Sequence, residues 1–166
     1  MGFRMGENRE VLRASALEDL SRDLEEELGF TAIVVNMYRP SEDDYEAIVM
    51  RGPDDLRETL HGAVLSRESW MALFDPKYER YGTFFVPEGQ GDWGDAPLYE
   101  PADDSGEGEN RWRKGDALFA PIRCPRGTIL GILSVDAPAS GRRPSDRDIL
   151  KISALCSKAA AALEPT

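Results

Sequence analysis

Few side chains in this sequence have the chemistry to do more than pack. It holds two cysteines, Cys124 and Cys156, and one histidine, His61, in 166 residues. Thiol redox work needs a low-pKa thiolate close to a resolving partner. Arg123 and Arg126 stand beside Cys124 and would depress its pKa, whereas Cys156 lies on the apolar side of a helical pattern and reads as a small buried hydrophobe. His61 closes a short polar helical run, DDLRETLH, where an imidazole complements the carbonyl end of the helix. Two cysteines and one histidine supply neither a multi-Cys zinc site nor a His pair for a metal. Nucleophilic triads and Gly-x-Ser-x-Gly elbows have no parts here, and Gly89-Gln90-Gly91 lacks the Lys-Ser or Lys-Thr of a phosphate loop. No catalytic residue and no metal ligand is assigned.

Carboxylates are abundant instead. Lys plus Arg is 20 and Asp plus Glu is 31, a net charge of −11, which argues against a nucleic-acid or anionic-membrane surface. Eight of the acids fall in one stretch, Pro87 to Asn110: Glu88, Asp92, Asp95, Glu100, Asp103, Asp104, Glu107 and Glu109. Those 24 residues contain five glycines, three prolines and no Lys or Arg. They cannot form a regular element and are too long for an ordinary connection, so they read as a mobile loop or a lid. Calcium binding by Asp103, Asp104, Glu107 and Glu109 would lack the EF-hand pattern, and a solvated acidic loop is the plainer reading. The basic residues Arg111, Arg113 and Lys114 follow, placed to pair with the loop's own carboxylates or to meet an anionic ligand.

The elements that must position these groups are legible from periodicity. Ala14, Leu17, Leu20, Leu24 and Leu28 make one stripe of a helix from about Glu10 to Leu28, with Gly29 as its C-terminal stop. Phe30 to Arg39 (FTAIVVNMYR) is a strand buried on both faces, and a turn at Pro40 to Asp44 returns it antiparallel into a strand from Tyr45 to Arg51. Asp54 to His61 and Ser66 to Phe74 read as short helices, and Tyr81 to Val86 as a short strand. After the acidic segment come strands at Asp116 to Arg123 and Thr128 to Asp136, with Pro121 demanding an irregularity or an edge. Ser145 and Asp148 cap a last helix whose face carries Ile149, Ile152, Leu155, Cys156, Ala159 and Leu163. The order α-β-β-α-α-β-loop-β-β-α indicates an α+β domain with a mainly antiparallel sheet. An apolar ligand pocket is expected at Tyr81, Phe84, Trp93, Trp112 and Phe119, with Asp116, Ser134 and Asp136 as polar contacts.

The closing stretch, GDALFAPIRCPRGTILGILSVDAPASGRRPSDRDILKISALCSKAAAALE, resembles the end of a GAF domain. The residues that carry the likeness are Pro121-Ile122, Gly127, the strand Gly131 to Asp136, Arg142-Arg143-Pro144-Ser145 and the alanine-rich helix to Leu163. The resemblance implies a central sheet of five or six antiparallel strands (GAF/PAS-like), terminal helices on one face, and short helices with a long loop over a pocket on the other. The domain would span residues 10–164, after a flexible stretch at 1–9. It further implies a sensory or regulatory domain in signal transduction that binds a small molecule; the opening MGFRMGENRE lacks the apolar run of a signal peptide and no stretch approaches 18 apolar residues, so the chain is expected to be cytoplasmic. Ligand state would pass through the terminal helices, paired in a homodimer, to a fused or separate output domain. No cofactor beyond that unknown ligand is expected, and no nucleic acid or membrane. Bilin attachment would call for a Cys-His pair that is absent, and haem would call on His61. Two alternatives stand beside the sensor: a redox enzyme resembling free-methionine-sulfoxide reductase, and a ligand-free dimerisation module.

Overall fold

In a computed structural model of the chain, residues 2–91, 93 and 108–163 are described, with side chains from residue 10 onward. Helix α1 (Gly2–Leu28) begins earlier than the apolar stripe indicates and ends at Gly29, whose φ of 74° and N–H bond to the Glu25 carbonyl make it the left-handed stop. Strand β1 (Phe30–Arg39) follows, then β2 (Asp44–Arg51), helix α2 (Asp54–Leu60), strand β3 (Val64–Ser66) and helix α3 (Arg67–Leu73). A 3-10 turn (Pro76–Tyr78) leads into β4 (Glu79–Arg80), β5 (Thr83–Val86), β6 (Ala117–Arg123), β7 (Ile129–Pro138) and helix α4 (Asp146–Leu163).

The strands form one antiparallel sheet in the order β3-β2-β1-β7-β6-β5-β4. It has seven strands where five or six were expected. The additions, β3 and β4, have three and two residues, too short to show a period. The expected strand from Tyr81 is a hairpin instead: Tyr81 and Gly82 both have positive φ, the two-residue turn that matches strand twist. Pro121 faces no break in pairing, because β5 pairs with β6 only from Ala117 to Phe119.

Both terminal helices pack on one face of the sheet. Leu17, Leu20 and Leu24 of α1 and Ile149, Ile152 and Cys156 of α4 form one buried cluster with Ile33, Val35, Leu118, Ala120, Leu133 and Val135. The start of α4 is fixed by reciprocal bonds, Asp148 N–H to Ser145 Oγ at 3.2 Å and Ser145 N–H to an Asp148 carboxylate oxygen at 3.0 Å. Beyond the sheet, Val11 and Leu12 of α1 are 66% and 64% exposed, and Ala14 is also uncovered. The opposite face carries two smaller clusters, around Phe84 and Phe119 and around Leu56 and Val34.

Burial pushes the Cys156 thiol from its ordinary 9.0 up to about 12. Between those values the unfolded chain loses a proton that the folded chain keeps, so stability falls as pH rises through this window, by at most about 1.4 kcal/mol per pH unit. Urea midpoints measured from pH 8 to 11 should fall less steeply for Cys156→Ala than for the wild type, and equal slopes would contradict this burial.

Candidate functional site

The sheet face away from the terminal helices is not filled. Side chains alternate along each strand, and on this face β1 presents Ala32, Val34 and Asn36 while β7 presents Ser134 and Asp136. Val34 lies opposite Ser134 and Ala32 opposite Asp136, with Ala47 of β2 beside them. These short side chains leave a cavity of about 410 Å³, a size typical of small-ligand sites. Leu56 and Leu60 of α2 and Trp70 and Leu73 of α3 wall it, and Phe119 of β6 closes the far side. Residues 88, 89, 91 and 93 and the segment Lys114–Asp116 border it as well.

The polar groups of this cavity differ in how they are satisfied. Asn36 is 8% exposed, and its Nδ2 donates to the Ile132 carbonyl at 3.0 Å. Its Oδ1 and the Ser134 hydroxyl have no hydrogen-bond partner among the described residues. Neither is sealed off, since the one fully occluded side-chain polar atom without a partner among those residues is Trp70 Nε1. Both therefore open on the cavity. Asp136 Oδ1 accepts from Trp112 Nε1 and from the Ala137 N–H, each at 2.7 Å.

Asp116 has a different task. Its side chain is fully enclosed and its carboxylate accepts four bonds: the Glu88 N–H at 2.9 Å, the Arg113 N–H at 2.8 Å, and Arg143 Nε and Nη2 at 2.8 and 2.9 Å. The hydrogen bond to Asp116 holds the Arg143 guanidinium above its ordinary pKa, against the opposing effect of burial. Arg143 also lies over the Phe85 ring, and its N–H bonds the Asn110 carbonyl at 2.7 Å. Glu88 returns a bond, its Oε2 accepting from the Gly115 N–H at 2.8 Å. A Cβ at Gly115 would stand 2.7 Å from Glu88, so the close approach requires glycine. One buried carboxylate thus ties down both ends of the acidic segment.

Of the residues the sequence singles out, Trp93, Asp116, Phe119, Ser134 and Asp136 border the cavity. Tyr81, Phe84 and Trp112 do not. Tyr81 sits in the β4–β5 turn, 57% exposed, because its positive φ turns it out of the sheet. Phe84 lies behind the wall, stacked on Phe119 at 5.8 Å and edge-on to Phe74 at 4.8 Å. Trp112 packs with the helix-side core, edge-on to Phe30, and reaches the cavity only through its bond to Asp136. Asp92, Asp95, Tyr99, Glu100, Asp103, Asp104 and Glu107, with the lid and calcium readings placed on them, lie outside the described residues. Ala32, Val34, Asn36 and Ala47 also line the cavity and were not among the expected site residues. The one available signal was Asn36, a polar residue inside an apolar strand.

Neither cysteine borders the cavity, and both are buried. A buried thiol, one of them raised to about 12, is the opposite of an exposed low-pKa nucleophile. His61 is exposed at the end of α2 and borders a separate surface groove with Glu18, Glu46 and Arg57.

Replacing Arg143 by Met would leave the Asp116 carboxylate enclosed with two backbone donors, a loss of about 2–3 kcal/mol. Urea denaturation should show that loss, and hydrogen exchange should accelerate at the amides of Glu88 and Arg113 ahead of those in β1 and β7. Unchanged exchange at those two amides would contradict the clamp.

No protein-family model matches this sequence, and no curated protein matches it. Solved structures do. The GAF domain/HD domain protein from Geobacter sulfurreducens aligns with a TM-score of 0.64 at 16% identity, covering 91% of each chain. The GAF domain from an Acinetobacter phosphoenolpyruvate-protein phosphotransferase aligns at 0.58 and 12% identity, covering 92% of this chain and 90% of that one. The type II free methionine-R-sulfoxide reductase from Thermoplasma acidophilum aligns at 0.59 and 13%, covering 93% and 94%. The antiparallel sheet, the paired terminal helices on one face and the short helices over a cavity on the other are therefore the GAF fold.

Proposed function

We propose that this chain is a sensory domain that binds a small molecule in the cavity between the sheet and helices α2 and α3. One observation carries the reading: an apolar space of about 410 Å³ into which Asn36 Oδ1 and the Ser134 hydroxyl open without partners among the described residues. Polar atoms left without a partner in so apolar a site cost free energy unless a ligand or ordered water bonds them. The burial of both thiols gives the redox alternative no comparable support. An empty dimerisation module would not need small residues at 32, 34, 47 and 134.

Transmission runs toward the terminal helices. Asp136 borders the cavity and holds Trp112, and Trp112 belongs to the cluster that contains Leu24 and Ile149. A ligand that favours one arrangement of Asp136 shifts the population of helix packings by its differential affinity. The exposed Val11 and Leu12 of α1 supply an apolar stripe for a second copy of the chain, which would read that shift.

A thermal-shift screen with a metabolite library tests the cavity. One chemical class should raise the melting temperature of the wild type and leave Val34→Phe, which fills the floor, unmoved. A library that moves neither protein, or moves both equally, would sink the reading.

A further inference from the structure

Among the described residues, the ionisable side chains that border the cavity are already engaged. Asp116 accepts from Arg143 and two backbone N–H groups, and Glu88 accepts from the Gly115 N–H at 2.8 Å. Asp136 accepts from Trp112 and the Ala137 N–H and has a further interaction besides, and Lys114 is partnered too. A charged ligand would shed its water here without gaining a free counter-charge from these residues, and burying an ion unpaired is strongly unfavourable. What the sheet floor leaves open is neutral. Only the nitrogen of an amide can meet a carbonyl oxygen, so the Nδ2 bond to the Ile132 carbonyl turns Asn36 Oδ1 the other way. That atom accepts and cannot donate, and it belongs to a side chain more than nine-tenths buried. Ser134, which donates or accepts, is its diagonal neighbour, since Val34 pairs with Ser134 and Asn36 with Ile132. Diagonal neighbours on one sheet face lie about 7 Å apart, close enough for one small polar group to meet both. Around them the walls are apolar, with Leu60 and the rings of Trp93 and Phe119, edge-on at 6.3 Å.

We infer that the ligand is an uncharged amide, a lactam or carboxamide, carried on an aromatic or branched apolar body. Its N–H donates to Asn36 Oδ1, its carbonyl accepts from the Ser134 hydroxyl, and its body packs on Leu60, Trp93 and Phe119. This inference rests on the cavity being the ligand site and adds the charge state and donor pattern of what fills it.

Four probes share a ring system with no polar atom of its own: naphthylacetamide, methyl naphthylacetate, naphthylacetate and naphthylethylamine, titrated by calorimetry at neutral pH. The amide should bind tightest. The anion and the cation should each be weaker by about tenfold or more, and the ester, which lacks the N–H and leaves Oδ1 unpaired, by about tenfold. Asn36→Leu should bring amide and ester to one affinity, whereas Ser134→Ala should weaken both and keep the gap between them. If Asn36→Leu does not fold, the wild-type order and the gap in Ser134→Ala decide. The anion or the cation binding as tightly as the amide, with binding lost in Val34→Phe, would overturn the neutral amide while leaving the cavity as the site. Equal affinity of amide and ester in the wild type, a gap that closes in Ser134→Ala, failure of all four probes, or binding that survives Val34→Phe would also overturn this inference. The library screen would then decide the cavity separately.

Discussion

The enclosed carboxylate of Asp116 is the constraint on which the cavity side of this domain depends. Taking a carboxylate out of water costs several kcal/mol unless charge and hydrogen bonds replace the lost hydration. Here a two-point Arg143 contact and two backbone N–H groups do so. The donors come from three places in the chain: residue 88, residue 113, and the stretch between β7 and α4. Satisfying one charge therefore fixes the start and finish of the 24-residue acidic segment against the sheet, whatever lies between. It also sets Glu88 and Gly115 on each other at the cavity border.

The sheet divides two kinds of order. On the helix face, Leu, Ile and Val of the sheet and both terminal helices bury one another in a single cluster, as a stable core requires. On the other face, the same strands carry Ala32, Val34, Ala47 and Ser134, and the space they do not fill is the cavity. Strand alternation makes this division possible, since neighbouring residues on β1 serve opposite purposes: Ile33 and Val35 pack the helices, while Val34 and Asn36 floor the cavity. The Trp112–Asp136 bond joins the two sides. That bond gives a change in the cavity a short physical route to the helix layer.

Much of the fold was legible because its elements carry strong periods. The bounds of β1, the Gly29 stop and the Ser145–Asp148 cap all follow from side-chain chemistry within a few residues. The short edge strands β3 and β4 were not legible, since two or three residues have no period, and their pairing is decided by β2 and β5. Tyr81 falls in a turn and not in a strand for a related reason: a Tyr-Gly turn is chosen by strand twist, a tertiary condition absent from local pattern. Half of the site was legible. Aromatics and acids near the loop drew attention to Trp93, Phe119 and Asp136, but a cavity is made by what is missing. Small residues on a strand announce it only when the facing strands are known. Trp112 shows the converse, a large aromatic in the right region that the sheet places on its other face.

Small-molecule occupancy of this cavity is the central claim, and side-chain resonances test it most directly. An isotope-labelled sample is titrated with a compound that raises its melting temperature while the Asn36 amide, Trp93 indole and His61 signals are followed by NMR. Asn36 and Trp93 should move together and saturate with one affinity while His61 stays still. Shifts confined to the groove beside His61 or to the exposed end of α1, with Asn36 unmoved, would contradict the account.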